Sequence, residues 1–128
     1  MKVINLNSLP EERKITCPKG NFTSNRFLLK EDGMGYTITK TIIPKGTKAI
    51  WNYKNHLESC YCVKGSGTVK NLEVNPLVTY EISPDSIYVL NNFEKHEFEA
   101  LEETHLICVF NPPLNGTEVH NKEGIYEL

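Results

Sequence analysis

The sequence of 128 residues predicts an all-β domain that folds as a β-sandwich or a small barrel. Turn-forming stretches recur at short intervals, among them PKGN, EDGMG, KGSG, SPDS and NPPLNG. The segments between these turns are rich in Val, Ile, Thr and Tyr, which favour strands. No segment longer than about two turns shows helical periodicity. A single domain is expected, because a chain of this length closes one core.

Nine segments are predicted as strands, and several alternate apolar and polar side chains, so that one face is buried. They lie at 26–30, 36–43, 48–53, 57–64, 67–71, 79–82, 86–90, 96–100 and 104–111. The stretch SLPEERK predicts a short helix, because Pro10 stands early and acidic residues follow it. The domain is expected to span 1–128, with an N-terminal segment at 1–20. Residues 111–128 are expected either to fray or to cover the barrel mouth.

Charge and composition exclude several classes of partner. The formal net charge is -2, and the 14 basic and 16 acidic residues are interspersed, so no basic patch for nucleic acid or anionic lipid is predicted. No stretch approaches the roughly 20 apolar residues that span a bilayer, and the N-terminus lacks a signal-peptide core. A cytoplasmic protein with reduced cysteines and a small-molecule or protein partner is therefore expected.

The stretch NHLESCYCVKGSG carries the chemistry that the rest of the sequence does not explain. Strand alternation puts four of its side chains on one face: His56, Glu58, Cys60 and Cys62. Tyr88 and His96 follow about thirty residues later in SIYVLNNFEKHEF. A carboxylate, a phenolate and an imidazole suit a borderline divalent metal, although a satisfied polar pair and a structural tyrosine are the alternatives. Cys60 and Cys62 are expected to be small core residues, and His105 is assigned no role.

The arrangement of these motifs resembles the two-motif pattern of cupins, small double-stranded β-barrels with a metal in the mouth. The first motif reads HxE here, and Val63 stands where many cupins have a glutamate, so a non-standard metal shell is expected. Four stretches resemble the ectoine synthase family: LLKEDGMGY, NHLESCYC, SIYVLNNFEKHEF and CVFNPPLNGTEVHNKEGIY. The resemblance covers roughly residues 20–126. It implies an all-β, jelly-roll-like cupin barrel with little helix.

The resemblance also implies a set of site residues. The metal ligands would be Glu58, Tyr88 and His96, with Fe(II) as the expected ion and Zn(II) or Mn(II) as alternatives. The catalytic residues around them would be Tyr53, His56, Glu118 and His120. The substrate wall would consist of Phe22, Asn25, Thr39, Thr41, Cys108 and Phe110.

Three wall positions depart from the family pattern. Phe22 and Asn25 stand where the family usually has tryptophan and arginine, and the position of Thr39 is often asparagine or another polar residue. Loss of the arginine matters, because a guanidinium binds a carboxylate with two hydrogen bonds that asparagine cannot replace. Arg26 is the nearest substitute, but alternation is expected to point it to the face opposite Asn25.

The activity that the resemblance implies is a metal-dependent cyclodehydration. The α-amine of N-γ-acetyl-L-2,4-diaminobutyrate would attack its own acetamide carbonyl, giving ectoine and water. Two alternatives remain: a diverged cupin cyclase or hydrolase for another amide or amino acid, and a non-catalytic small-molecule-binding cupin. A homodimer is expected, because small cupins cover exposed strand edges by pairing.

Overall fold

The computed structural model describes residues 1–17 and 22–118, and within them the chain is built from antiparallel strands. Ten strands lie in this part: β1 Lys14–Thr16, β2 Thr23–Leu28, β3 Thr37–Ile43, β4 Lys48–Trp51, β5 Leu57–Lys64, β6 Gly67–Asn71, β7 Val78–Ile82, β8 Ile87–Leu90, β9 His96–Ala100 and β10 Thr104–Asn111. The helical elements of the described residues are single turns of 3₁₀ helix at Leu6–Ser8, Glu11–Arg13 and Lys30–Asp32. No helix in the described part is long and apolar enough to cross a membrane.

The described strands form two sheets. One has six strands in the order β1-β2-β3-β10-β5-β8, and the other has four in the order β4-β9-β6-β7. From β3 onward the chain passes repeatedly from one sheet to the other, as in a jelly roll. The prediction of an all-β, jelly-roll-like fold with little helix is confirmed.

Alternation along the strands determines which side chains enter the core. In β3 every second residue, from Thr37 to Ile43, is buried, and the residues between them are half-buried. Trp51 and Phe98 stack in the core with ring centroids 6.1 Å apart. Burying an apolar side chain of this size stabilises the fold by about 1.5–3 kcal/mol. The core is therefore built from the inward faces of both sheets.

The structure differs from the predicted elements near the N-terminus. The predicted helix in SLPEERK is only the single turn Glu11–Arg13, which follows Pro10. Strand β1, which was not predicted, follows directly and pairs with β2, although Ile15 is its single apolar residue. The strand predicted at 26–30 begins earlier, at Thr23. These differences arise because pairing of β1 with β2, and of β2 with β3, makes β1 and the start of β2 extended, and not their local pattern.

The segment after β10 lies against the start of β3. Leu114 is completely buried, and its amide donates to Thr37 Oγ1 at 2.7 Å. Its carbonyl accepts from the amide of Lys30 at 2.8 Å. These contacts hold the described part of the C-terminal segment on the six-stranded sheet.

Candidate metal centre and active site

The inner face of β5 carries the polar residues predicted from alternation. Glu58, Cys60 and Cys62 are buried, whereas Leu57 and Tyr61 on the other face are exposed. A carboxylate and two thiols therefore point into the barrel from a single strand. The prediction that this face lies inside is confirmed.

Two neighbouring strands add side chains to the same face. Cys60 lies opposite Cys108 of β10 on one side and opposite Tyr88 of β8 on the other. Residues directly opposite each other in an antiparallel pair share a face of the sheet. One potential ligand atom from each of Glu58, Cys60 and Cys108 lies within 4.8 Å of the other two. Four polar groups thus form a compact cluster, called here the β5 cluster: Glu58, Cys60, Tyr88 and Cys108.

His96 enters the barrel from the other sheet, at the start of β9. Its Nδ1 lies 3.0 Å from the carbonyl oxygen of Glu94. Because a carbonyl only accepts, Nδ1 carries the proton and Nε2 carries a lone pair. That Nε2 is buried and has no hydrogen-bond partner among the described residues. Burial lowers the pKa of His96 below its usual 6.5, so the ring is neutral at pH 7. A neutral imidazole oriented in this way suits a metal ion.

The electrostatics of the β5 cluster also fit a cation. Burial raises the pKa of Glu58 well above its usual 4.5, and the neighbouring Cys108 raises it further. Part of Tyr88 is exposed, but burial of its hydroxyl raises its pKa well above 10, with Cys60 and Glu58 as further causes. Within residues 1–17 and 22–118, Glu58 forms no ion pair with a basic residue. A divalent ion would reverse both shifts by favouring the carboxylate and the phenolate. The donor set therefore fits a borderline divalent metal.

Hydrogen bonds from neighbouring groups give Cys108 a different electrostatic environment from that of Cys60. Interaction with the Cys60 thiol lowers the pKa of Cys108, and hydrogen bonds from Thr41 and Thr39 lower it further. Burial raises the pKa of Cys60 well above its usual 9.0. Of the two opposed thiols, Cys108 is therefore the more readily ionised.

Tyr53 and His56 flank the ring of Phe110. The Tyr53 ring lies edge-on to Phe110 with centroids 5.6 Å apart, and its centroid is 5.9 Å from that of His96. The Nδ1 of His56 donates to the carbonyl oxygen of Pro112 at 2.7 Å. Its Nε2 is buried and finds no hydrogen-bond partner in the described part of the chain. His56 therefore presents a fixed lone pair that can accept a proton.

A cavity of about 10 Å³ lies between these side chains, with room for the centre of one water molecule. Seven of the predicted site residues line it: Phe22, Thr41, Tyr53, Glu58, Tyr88, Cys108 and Phe110. Thr41 Oγ1 lies 3.5 Å from Cys108 Sγ and 3.3 Å from Thr39 Oγ1. The structure thus brings four of the six predicted wall residues and two of the three predicted metal ligands to one point inside the barrel, while His96 lies outside the lining of this cavity.

Comparison with known proteins agrees with this geometry. The family model described as ectoine synthase matches residues 1–128. The chain belongs to the ectoine synthase family. It is 50% identical over 116 residues to the L-ectoine synthase of Teredinibacter turnerae, which covers 91% of this chain and 86% of that protein. It is 45% identical over 117 residues to the L-ectoine synthase of a Marinomonas species, covering 91% and 89%. The crystal structure of ectoine synthase from P. lautus matches with a TM-score of 0.86 at 38% identity, covering 100% of this chain and 91% of that chain.

Membership of the ectoine synthase family confirms the resemblance seen in the sequence. The predicted cupin fold and the predicted function in ectoine biosynthesis are confirmed with it. The protein is an enzyme, and its class is that of a hydro-lyase acting on a small molecule. The cupin fold and the buried donor groups together support a metal ion in the barrel.

The structure corrects the predicted faces of β2. Asn25 lies opposite Lys40, and its side-chain amide donates to the Lys40 carbonyl, so it points away from the wall formed by Thr39 and Thr41. Arg26 instead lies opposite Thr39 and is completely buried. Arg26 and Asn25 therefore point to opposite faces, as alternation predicts, but Arg26 and not Asn25 lies on the face of Thr39 and Thr41. The structure does not bring Asn25 into the predicted wall.

A signal for Arg26 was present in the sequence. Phe22, Ser24 and Arg26 are separated by two residues each, so in an extended chain they share a face. Placing Phe22 on the wall therefore implies that Arg26 lies there and that Asn25 does not. Arg26 thus lies on the face of β2 that is shared with Thr39 and Thr41 of β3.

Arg26 connects β2 to the segment after β10. Its guanidinium donates to the carbonyl of Gly116 at 2.9 Å and to that of Glu118 at 2.5 Å, and its Nε donates to Ser24 Oγ at 3.2 Å. It also lies 3.9 Å from the Glu118 carboxylate, and both side chains are fully buried. That carboxylate accepts from the amides of Asn115 and Gly116 at 2.7 and 2.8 Å. Glu118 therefore holds the shape of the segment, and Arg26 anchors it.

The four predicted catalytic residues are placed differently. Tyr53 lines the cavity, while His56 packs against Phe110 and the backbone of Pro112. Glu118 is bound to Arg26 and to its own segment. His120 lies outside the described residues. The catalytic roles of all four remain predictions.

Proposed function

We propose that this enzyme converts N-γ-acetyl-L-2,4-diaminobutyrate into ectoine and water, with Fe(II) held by Glu58, Tyr88 and His96. The observation that supports the metal ligands best is the neutral His96 ring, whose buried Nε2 has no hydrogen-bond partner in the described part of the chain. When bound, the ion supplies Lewis-acid stabilisation of negative charge on the acetamide oxygen. Zn(II) and Mn(II) are the alternative ions for this donor set.

His56 is the proposed base in this reaction. The substrate's α-ammonium must lose a proton before its nitrogen attacks the acetamide carbon, and the lone pair on His56 Nε2 accepts that proton. The Nδ1–H donated to Pro112 fixes the tautomer in which Nε2 is free to do so. After the new C–N bond forms, the same nitrogen gives up a second proton and the C–O bond breaks, so the oxygen leaves as water with the two protons that the nitrogen released. Tyr53, Glu118 and His120 are the candidates for returning them.

The substrate wall is proposed to consist of Thr39, Thr41 and Cys108, with the rings of Phe22 and Phe110 excluding water. Arg26 takes the place that the sequence assigned to Asn25. Its guanidinium binds Ser24 and the segment 116–118, so its proposed role is to support the wall and hold the lid closed, and not to bind the substrate carboxylate. The alternative of a diverged cyclase or hydrolase, motivated by Phe22 and Asn25, is tested by the ring-closure assay described below.

The cavity is too small for the substrate as it stands. A space of about 10 Å³ holds one water, so the substrate reaches this wall only if the wall opens. A larger cavity of about 570 Å³, lined by Tyr88 and His96, already lies beside two of the proposed metal ligands. The segment 112–118 lies over the wall and is held there by Arg26 and Glu118. We infer that release of this contact opens the site, and that the C-terminal segment acts as the lid expected from the sequence. Excluding water after closure favours dehydration over the reverse hydrolysis.

A cytoplasmic homodimer remains part of the proposal. Strand β8 is an edge of the six-stranded sheet, and its outward side chains Ile87 and Val89 are 57% and 50% exposed. The adjacent Tyr61 of β5 is 38% exposed on the same outer face. Pairing with a second copy would cover this edge and its apolar side chains. Sedimentation velocity would test this, and a monomer at micromolar concentration would reject it.

Metal-dependent ring closure is the decisive test of the proposed reaction. Chelator-treated protein is reconstituted anaerobically with Fe(II), Zn(II) or Mn(II), and ectoine formation is followed by NMR. We expect ectoine to form only when the ion is present. Its formation should be lost in Glu58→Gln and kept in the exposed control Glu81→Gln. Folded, metal-loaded protein that forms no ectoine would reject the substrate.

A further inference from the structure

Two thiols lie beside the Glu58 carboxylate inside the barrel, and neither of them is a ligand in the proposed catalytic centre. The Sγ atoms of Cys60 and Cys108 and a carboxylate oxygen of Glu58 all lie within 4.8 Å of one another. In a tetrahedral zinc site, bond lengths of about 2.3 Å to sulfur and about 2.1 Å to oxygen put ligand atoms about 3.6–3.8 Å apart. Small side-chain rotations would therefore bring the three atoms to the spacing of metal ligands.

The backbone, and not a flexible loop, produces this arrangement. Cys60 and Cys108 are directly opposite each other in the register of β5 and β10, and Glu58 precedes Cys60 by two residues on the same face. All three side chains are at most 5% exposed. The other cysteine of the CxC sequence, Cys62, contacts the carbonyl of Lys64. The cysteine pair beside Glu58 is thus formed by Cys60 and Cys108 across β5 and β10, and not by Cys60 and Cys62 along β5.

The same groups surround a space of suitable size. The cavity of about 10 Å³ is lined by Glu58, Cys60, Tyr88 and Cys108, so an ion placed there meets a carboxylate, two sulfurs and a phenol. Apolar side chains of Ile43, Leu106 and Phe110 complete the lining and limit access of water. Sulfur ligands in a dry cavity favour soft or borderline ions over Mg²⁺ and Ca²⁺.

We propose that Glu58, Cys60 and Cys108 form a thiolate-rich site for a soft or borderline divalent ion such as Zn²⁺ or Co²⁺. This site shares Glu58 with the proposed centre of Glu58, Tyr88 and His96 but has different remaining ligands. An ion held by the two sulfurs engages Glu58 and withdraws it from the catalytic centre. Zinc in excess is therefore an inhibitor of the iron-loaded enzyme.

Cobalt is the probe that reports sulfur ligation directly. Chelator-treated full-length protein is titrated anaerobically with Co²⁺, and sulfur-to-cobalt charge-transfer absorption in the near ultraviolet is recorded. We expect a band in the wild type, its loss in Cys60→Val and Cys108→Ala, and its retention in the buried-cysteine controls Cys17→Ala and Cys62→Ala. His96→Ala is expected to keep the band, because His96 is not a ligand of this site.

Two results would overturn the site. One is the absence of a sulfur band in folded wild type that binds Co²⁺, and the other is a band that persists in a folded Cys60→Val, Cys108→Ala double variant. Circular dichroism establishes folding, and Cys60→Ser replaces Cys60→Val if the valine variant is unfolded. The assay contains no substrate, so failure to form ectoine would reject the proposed reaction without affecting this site. Ectoine formation without a sulfur band would reject only the site.

Discussion

The buried contact between Arg26 and the C-terminal segment makes a quantitative prediction about stability. In Arg26→Met the Glu118 carboxylate keeps its amide donors but loses its cationic partner, while the carbonyls of Gly116 and Glu118 lose theirs. Removing one member of a buried ion pair costs about 3–5 kcal/mol, because the remaining charge stays out of water. With an m-value of about 2 kcal/mol/M, the urea midpoint should fall by roughly 2 M.

Urea unfolding, monitored by circular dichroism, measures this loss. The matched control is Lys48→Met, since its contacts with Glu97 and Glu99, at 4.0 and 3.8 Å, are about as long as that of Arg26 with Glu118, but Lys48 is 57% exposed. An exposed pair of this kind contributes little, so the control midpoint should move much less than that of Arg26→Met. A double-mutant cycle with Glu118→Gln isolates the pair, and the two losses should be strongly non-additive.

Detachment of the segment is the other way in which the variant could relieve the buried charge. In that case the loss in global stability is smaller, but the amide of Leu114, which is bonded to Thr37, exchanges faster with solvent. The reasoning is refuted if Arg26→Met changes neither the urea midpoint, relative to Lys48→Met, nor the exchange of this amide.

Three further predictions concern the metal centre and the base. First, burial raises the pKa of Glu58 above 4.5, so between about pH 4.5 and the raised pKa the folded metal-free protein holds a proton that the unfolded chain releases. The free energy of unfolding therefore falls as the pH rises through this range. Urea titrations in chelator should show wild type losing up to about 1.4 kcal/mol per pH unit relative to Glu58→Gln, and parallel pH profiles would contradict this. Second, His96→Ala should lose bound iron and turnover, whereas the control His105→Ala, in which the lost ring pairs with Glu103, should keep both. Iron is measured in each variant after desalting, and normal iron content in His96→Ala would show that His96 is not a ligand. Third, His56→Asn keeps a donor for Pro112 but lacks the base, so kcat should fall by about 10²–10⁴ with unchanged iron content, and a normal kcat would show that the proton goes elsewhere.

Local pattern was sufficient for part of the site. The alternation of β5 predicts that Glu58 and Cys60 point inward, because side chains in a strand change face at every residue wherever the strand pairs. The same rule, counted from Phe22, places Arg26 on the substrate wall. The prediction for β2 failed because the family arginine was assigned to Asn25 by sequence position, and strand parity was not applied from Phe22.

Other features could not be read from any single strand. Strand β1 has little apolar pattern of its own and is extended because it pairs with β2. The tautomer of His96 depends on the carbonyl of Glu94, and the absence of a partner for its Nε2 among the described residues depends on the packing of both sheets. Such features follow from burial and backbone geometry that exist only in the folded barrel.

Local periodicity and residues in short motifs were enough to establish the all-β class, the inward face of β5 and the family to which the chain belongs. The position of β10 between β3 and β5, which puts Cys108 opposite Cys60, follows from the folded arrangement of the strands. The same arrangement brings Arg26 to Glu118, 92 positions away in the chain. The order and register of the strands are those that bury all the apolar faces together. No single segment of the sequence contains that information.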